Sequence, residues 1–159
     1  MPPSDALVAM DYHLDWIHAS LFLSLPQNDE DAIHPNTRAI ATGTQEDVDL
    51  LVAFDEGDTT HLLLIEAKAE TGWTNKQTLS KAERLNRIFG TDGKKYPRVE
   101  PHFGLMSPNP PRQLMPHLWP RWMTRDGKPI WFELKMPTGR RRVMRCDSAG
   151  RPNSGGAFF

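Results

Sequence analysis

Asp49, Glu66 and Lys68 are the residues of this 159-residue chain whose types and spacing best suit chemistry. Asp49 lies in an alternating segment, with Val48, Leu50, Val52 and Phe54 on one face and Asp47, Asp49, Leu51 and Ala53 on the other. That period of two predicts a strand with both acids on one face and an apolar opposite face. After the turn-rich Asp55-Glu56-Gly57-Asp58, the run from His61 to Ala69 predicts a second, more buried strand, with Glu66 and Lys68 on one face and Ala67 on the other. Paired as a hairpin with Asp49 near Glu66, these strands bring two carboxylates and an ammonium to one place. Hard divalent cations such as Mg2+ take oxygen ligands, and two carboxylates, a backbone carbonyl and waters satisfy an octahedron. Such an ion polarises a phosphoryl oxygen and acidifies a bound water, while a neighbouring lysine holds the nucleophile and offsets growing negative charge. The chemistry expected of the trio is phosphodiester hydrolysis.

Asp49, a spacer, and Glu66-x-Lys68 at the end of an apolar strand resemble the PD-(D/E)xK nuclease superfamily, with its restriction-endonuclease-like fold. The resemblance covers roughly residues 5–107, with Val48-Asp49 in place of the Pro-Asp pair. It implies an α/β domain with an α-β-β-β-α-β core, a central mixed sheet flanked by helices, and DNA cleavage with Mg2+ or Mn2+. By the same resemblance, Asp49 and Glu66 hold the ion with the Ala67 carbonyl, and Lys68 orients and activates the water. Gln77 supports the site from the next helix, and Asp11 adds an acid from the first. Cutting both strands of a duplex implies two sites, hence a homodimer or a partner subunit. The alternative is a catalytically silent protein of the same fold that binds nucleic acid or another protein. Glu133-Leu134-Lys135 repeats the Glu-x-Lys form with no acid-bearing strand a hairpin upstream, and is read as structural.

The elements that must position these residues follow from pattern. Ser4 can cap a helix with the stripe Leu7, Met10, Leu14, Ile17 and Leu21, flanked by Asp11, Asp15 and His18. Pro26 to Asn36 reads as an acidic loop and Thr37 to Thr42 as a short strand. Beyond the turn at Thr71-Gly72-Trp73-Thr74, a helix runs from about Asn75 to Phe89 and stops at Gly90, burying Leu79, Ala82, Leu85 and Phe89. Gln77, Lys81 and Arg84 fall on its polar side, and Thr74-x-x-Gln77 also fits a capping box, so Gln77 has two readings. Val99 to Ser107 predicts a further strand, with Pro101 arguing for an edge or a late start. Residues 108–129 form a proline-rich loop in which Trp119 and Trp122 stand beside Arg112, Arg121 and Arg125. Its tryptophans either plug the core, the favoured reading, or stack on bases. Ile130 to Met136 and Arg141 to Cys146 read as a C-terminal hairpin within residues 130–147, followed by a tail over 148–159.

Residues 1–70 carry 2 basic and 14 acidic side chains, and residues 71–159 carry 17 and 6, although the net charge is only -1. An acidic half with metal ligands and a basic half gripping phosphate suits a protein that binds nucleic acid, DNA by the resemblance. Lys81, Arg84, Arg121, Arg125, Arg140, Arg141 and Arg142 are the candidate contacts. The competing account has the halves attracting one another within the fold. The length suits a single domain over residues 1–159, and six scattered histidines show no zinc spacing. One cysteine, Cys146, excludes an internal disulfide, and no apolar run is long enough for a membrane helix. A soluble, cytoplasmic protein is expected.

Overall fold

Residues Leu7–His13 form a strand, β1, where helical spacing predicts the first turns of a helix. This emerges from a computed structural model that describes residues 2–28, 32–44, 46–69, 72–139 and 143–159. Leu7 and Met10 fit either period, and pairing with the next strand decides, because it satisfies the backbone groups of the whole segment. Met10 ends 77% exposed, so the buried stripe is Leu14, Ile17 and Leu21 alone. The helix α1 is Leu14–Leu23, and its cap is His13, whose Nδ1 accepts from the Asp15 N–H at 3.2 Å.

The following elements are β2 (Asp47–Glu56), β3 (Thr59–Ala67), α2 (Asn75–Phe89) and β4 (Val99–Ser107). Two single 3-10 turns, a minimal hairpin of β5 (Thr124–Arg125) and β6 (Lys128–Pro129), and β7 (Trp131–Glu133) complete the order. The main sheet runs β1-β2-β3-β4-β7, with β1, β2 and β3 antiparallel in turn and β4 and β7 parallel to β3. The α/β class and mixed sheet therefore stand, while the core reads β-α-β-β-α-β. Gly57, at φ 60°, opens the two-residue turn that sets the β2–β3 register. Thr74 caps α2 through the Gln77 N–H, and Gly90 at φ 83° stops it.

One face of the sheet carries the core. Leu62 and Leu64 of β3 and Phe103 and Leu105 of β4 pack with Leu14, Ile17 and Leu21 of α1 and with Ala82, Leu85, Ile88 and Phe89 of α2. Both helices therefore share a side, rather than flanking the sheet. Ile65, on the other face of β3, is buried yet stands outside this cluster. That second face also carries Leu50, Val52 and Phe54, which are only half-buried, and Val8, which is 61% exposed. The apolar face expected of β2 is thus not its core side. Val48 and Leu51, three residues apart, both join the core, so the strict alternation breaks at Asp49.

Two further expectations change. Thr37–Thr42 is not a strand: the Asn36 carboxamide accepts the Ile40 and Ala41 N–H groups, and Asp15 Oδ2 accepts those of Thr42 and Gly43. Side chains replace a partner strand there. The C-terminal hairpin is absent among the described residues. Its first strand, β7, instead pairs parallel with Leu105–Ser107 of β4, and residues 143–145 are irregular. Phe132 of β7 lies on Gly104, where a Cβ would meet its ring carbon at 2.6 Å. In the tail, Cys146 and Phe158 exchange backbone hydrogen bonds at 2.8 and 3.3 Å, while Phe159 stays exposed.

Candidate active site

The β2–β3 ladder reaches Leu50↔Ile65, and one step further Asp49 stands across from Glu66. Here a side chain continues the pairing: Asp49 Oδ2 accepts the Ala67 N–H at 2.5 Å. Lys68 is held from the other side, its N–H donating to the Met106 carbonyl of β4 at 2.8 Å. Asp49 and Glu66 therefore stand side by side where β3 leaves the sheet, with Lys68 two residues further on. An open cleft of about 540 Å³ lies there, lined by Glu46, Glu66, Lys68, Trp73, Gln77 and Lys81 among others.

Glu66 points to the helix side. Lys81 Nζ lies 2.9 Å from its Oε1 and also donates to the Asp47 carbonyl. The contact is a charge pair rather than an aligned hydrogen bond, since the buried Oε1 accepts none. Burial pushes the Glu66 carboxyl above its ordinary value; Lys81 opposes this, and the Asp49 charge adds to it. Lys68 Nζ sits 5.9 Å from the Trp73 ring centre. The Trp73 indole donates to Ser107 Oγ at 3.1 Å, as does Trp131, and the hydroxyl in turn donates a hydrogen bond to the Asn109 carbonyl at 2.7 Å. The wall behind Lys68 is thus anchored in β4.

Gln77 shares the α2 cap with Thr74 through the hydroxyl, not through the reciprocal backbone bond of a capping box. Thr74 Oγ1 accepts the Gln77 N–H at 3.4 Å and donates to Gln77 Oε1 at 3.2 Å, and Gln77 also lines the cleft. Asp11 is not on a helix. It stands in β1 between Met10↔Leu50 and Tyr12↔Val48, across from Asp49, with φ 50° and an exposed side chain. Among the described residues, no hydrogen bond or ion pair joins Asp11 to Asp49 or Glu66.

The basic candidates divide. Arg84 is buried, 5% exposed, and hydrogen-bonds Asp15 of α1, with Nε 3.9 Å from Glu46. It is a structural cation rather than a surface for phosphate, and Lys81 is half-buried against Glu66. Arg121 and Arg125 are exposed. Arg140, Arg141 and Arg142 lie outside the described residues. Trp119 is buried in the core and the Trp122 indole donates to the Gly90 carbonyl at 3.0 Å, so the proline-rich loop does plug the fold. Sequence reasoning did not single out Glu46 at the cleft, or the inward pairing of Asp15 with Arg84 and Glu66 with Lys81. The charge asymmetry between the halves was the available signal.

None of the protein-family models, curated proteins or solved structures compared with the chain matches it. No described helix is long and apolar enough to cross a membrane.

Proposed function

We propose that this chain is a Mg2+-dependent nuclease acting on DNA, with Asp49, Glu66 and Lys68 as its working residues. The observation that carries the reading is the convergence of Asp49 and Glu66 at the end of the β2–β3 ladder, beside a cleft that also presents Lys68 and Gln77. The donor set fits a hard divalent cation: Asp49 keeps Oδ1 outside its bond to Ala67, and the buried Glu66 Oε1 lacks an aligned donor. Asp49, Glu66 and the Ala67 carbonyl would hold the ion, which supplies charge stabilisation at phosphorus and an acidified water. Lys68 would orient the attacking water and stabilise charge on the phosphate, and Gln77 would fix the substrate edge of the cleft. Cutting a duplex on both strands calls for two copies of this site.

One observation favours a second reading. Lys81 already neutralises Glu66, and the Ala67 N–H already occupies one Asp49 oxygen, as suits a member of such a fold that binds without cutting. The test is cleavage of circular, linear, single-stranded and branched DNA, and of RNA, with Mg2+, Mn2+ or chelator, by wild type and Lys68→Ala. Metal-dependent cutting lost in the variant supports the nuclease. Equal background in both transfers the case to the non-cutting protein.

A further inference from the structure

We propose that His61, Glu100 and His102 form a site for a divalent transition ion of the zinc class, separate from the Asp49–Glu66 carboxylates. The topology brings them together. In the parallel β3–β4 ladder His61 pairs with Glu100 and Leu63 with His102, which puts the three side chains on the sheet face opposite the core. Glu66 is five residues along β3 from His61 and on the other face, about 17 Å away at the usual strand rise.

Three donors converge. His61 Nδ1 lies 3.0 Å from His102 Nε2, and the Glu100 carboxylate lies 3.8 Å from the first nitrogen and 3.9 Å from the second. Turning that exposed carboxylate presents one oxygen to both rings. One ligand atom from each of the three residues lies within 4.8 Å of the others, a spacing that bonds of about 2.1 Å from zinc to imidazole nitrogen and carboxylate oxygen can span. Two imidazoles with one carboxylate select zinc, cobalt or nickel over Mg2+, which prefers oxygen alone. Three protein ligands also leave a fourth position for water or another ligand.

The surroundings fit a metal-binding histidine. His61 Nε2, the nitrogen turned away from the cluster, lies 3.6 Å from Glu56 Oε2. At that separation the exposed Glu56 carboxylate offers the ring a nearby negative charge rather than a hydrogen bond. The His61 ring is held between Phe54 and His102, with ring centres 5.2 and 5.3 Å away and planes 18° and 16° apart. Filling the site would clamp β3 to β4 at the end of the sheet away from the cleft.

The test is titration of the full chain with Zn2+ and with Co2+, in wild type, His102→Ala, Glu100→Gln and Glu66→Gln, each first checked by circular dichroism. His61 is left intact because it supports the ring stack. Wild type should bind one equivalent at this site, develop the visible absorption of four-coordinate cobalt, and melt at a higher temperature with Zn2+. His102→Ala and Glu100→Gln should each weaken binding at least about tenfold, and Glu66→Gln should leave it unchanged. Wild-type affinity for Zn2+ in both cluster variants, or no binding at micromolar Zn2+ by wild type, overturns the proposal. Because no cleavage is read, the result stands apart from the nuclease assay.

Discussion

Lys81 reaches across from α2 to within 2.9 Å of Glu66, so the carboxylate proposed as a metal ligand already has a cation beside it. Glu66 is neutralised from within the fold. An ion entering between Asp49 and Glu66 competes with that ammonium, which keeps a second anchor on the Asp47 carbonyl. The same contact would set both the stability of the fold and the response of the proposed site to metal.

Lys81→Met should therefore separate the two effects. Without the ammonium, Glu66 is a buried carboxylate lacking its countercharge, and the metal-free protein should lose about 1–3 kcal/mol at neutral pH. Mg2+ should bind the variant about fivefold more tightly, equivalent to roughly 1 kcal/mol of removed competition. Urea denaturation with and without Mg2+ reads both quantities, and weaker Mg2+ binding would show Lys81 helping the ion.

Protonation of Glu66 makes a pH prediction. Its folded-state value is raised by burial above the ordinary 4.5, so between the two values the folded chain holds the proton more tightly than the unfolded chain. The contribution is complete below about 4.5 and is lost as pH rises through the folded value. The stability of Glu66→Gln relative to wild type should accordingly rise across that window and then level off. Paired denaturation curves from pH 4 upward measure the difference, and a flat trace would deny the burial effect.

Cleavage and binding should come apart at the two motif positions. Lys68→Ala should abolish cutting while Mg2+ and DNA affinities stay within about twofold, because the proposed role of the lysine is on the nucleophile. Glu66→Ala should weaken Mg2+ binding by at least about tenfold along with the loss of activity. Calorimetry of each variant decides, and intact cleavage in either one contradicts the site assignment.

Asp15 supports the fold from α1. It pairs with buried Arg84 and accepts two loop N–H groups, from Thr42 at 3.0 Å and Gly43 at 2.8 Å. Asp15→Ala should cost about 3 kcal/mol by leaving that arginine without its partner. A melting temperature unchanged from wild type would mean that Glu46 alone suffices for Arg84.

Gly104→Ala should drive Phe132 off the sheet and loosen β7, at a cost of about 1–3 kcal/mol. Pairing it with Phe132→Ala should recover much of that loss. A double-mutant cycle tests the coupling, and strict additivity would place the strain elsewhere.

The parts of this fold that are legible in sequence are those whose signals are local. Thr74, the apolar stripe and Gly90 mark α2 over Asn75–Phe89, and Val99–Ser107 reads as the strand it is. Pro101 reads as an edge for a sound reason: β7 covers only Leu105–Ser107, so the start of β4 has no outer strand among the described residues. Leu7 and Met10 mislead because three-residue spacing is shared by a helix and an irregular strand, and only the distant partner β2 chooses between them. Arg84 and Lys81 look like solvent-facing charges on a helical wheel. Their true neighbours, Asp15 and Glu66, come from other elements, so their inward turn is a tertiary fact. Those pairs join acids of the first half to bases of the second, which accounts for part of the charge asymmetry without any ligand. Asp49 and Glu66 are legible together because one tight turn at Gly57 sets their register.

The notch at Gly104 and the ring of Phe132 also bear on how this sequence can drift over generations. A lineage that acquires a side chain at 104 must shrink or redirect the residue at 132, while one that loses the ring at 132 is released from glycine at 104. Two positions 28 residues apart are thereby bound to a shared history, and they should change together or hardly at all.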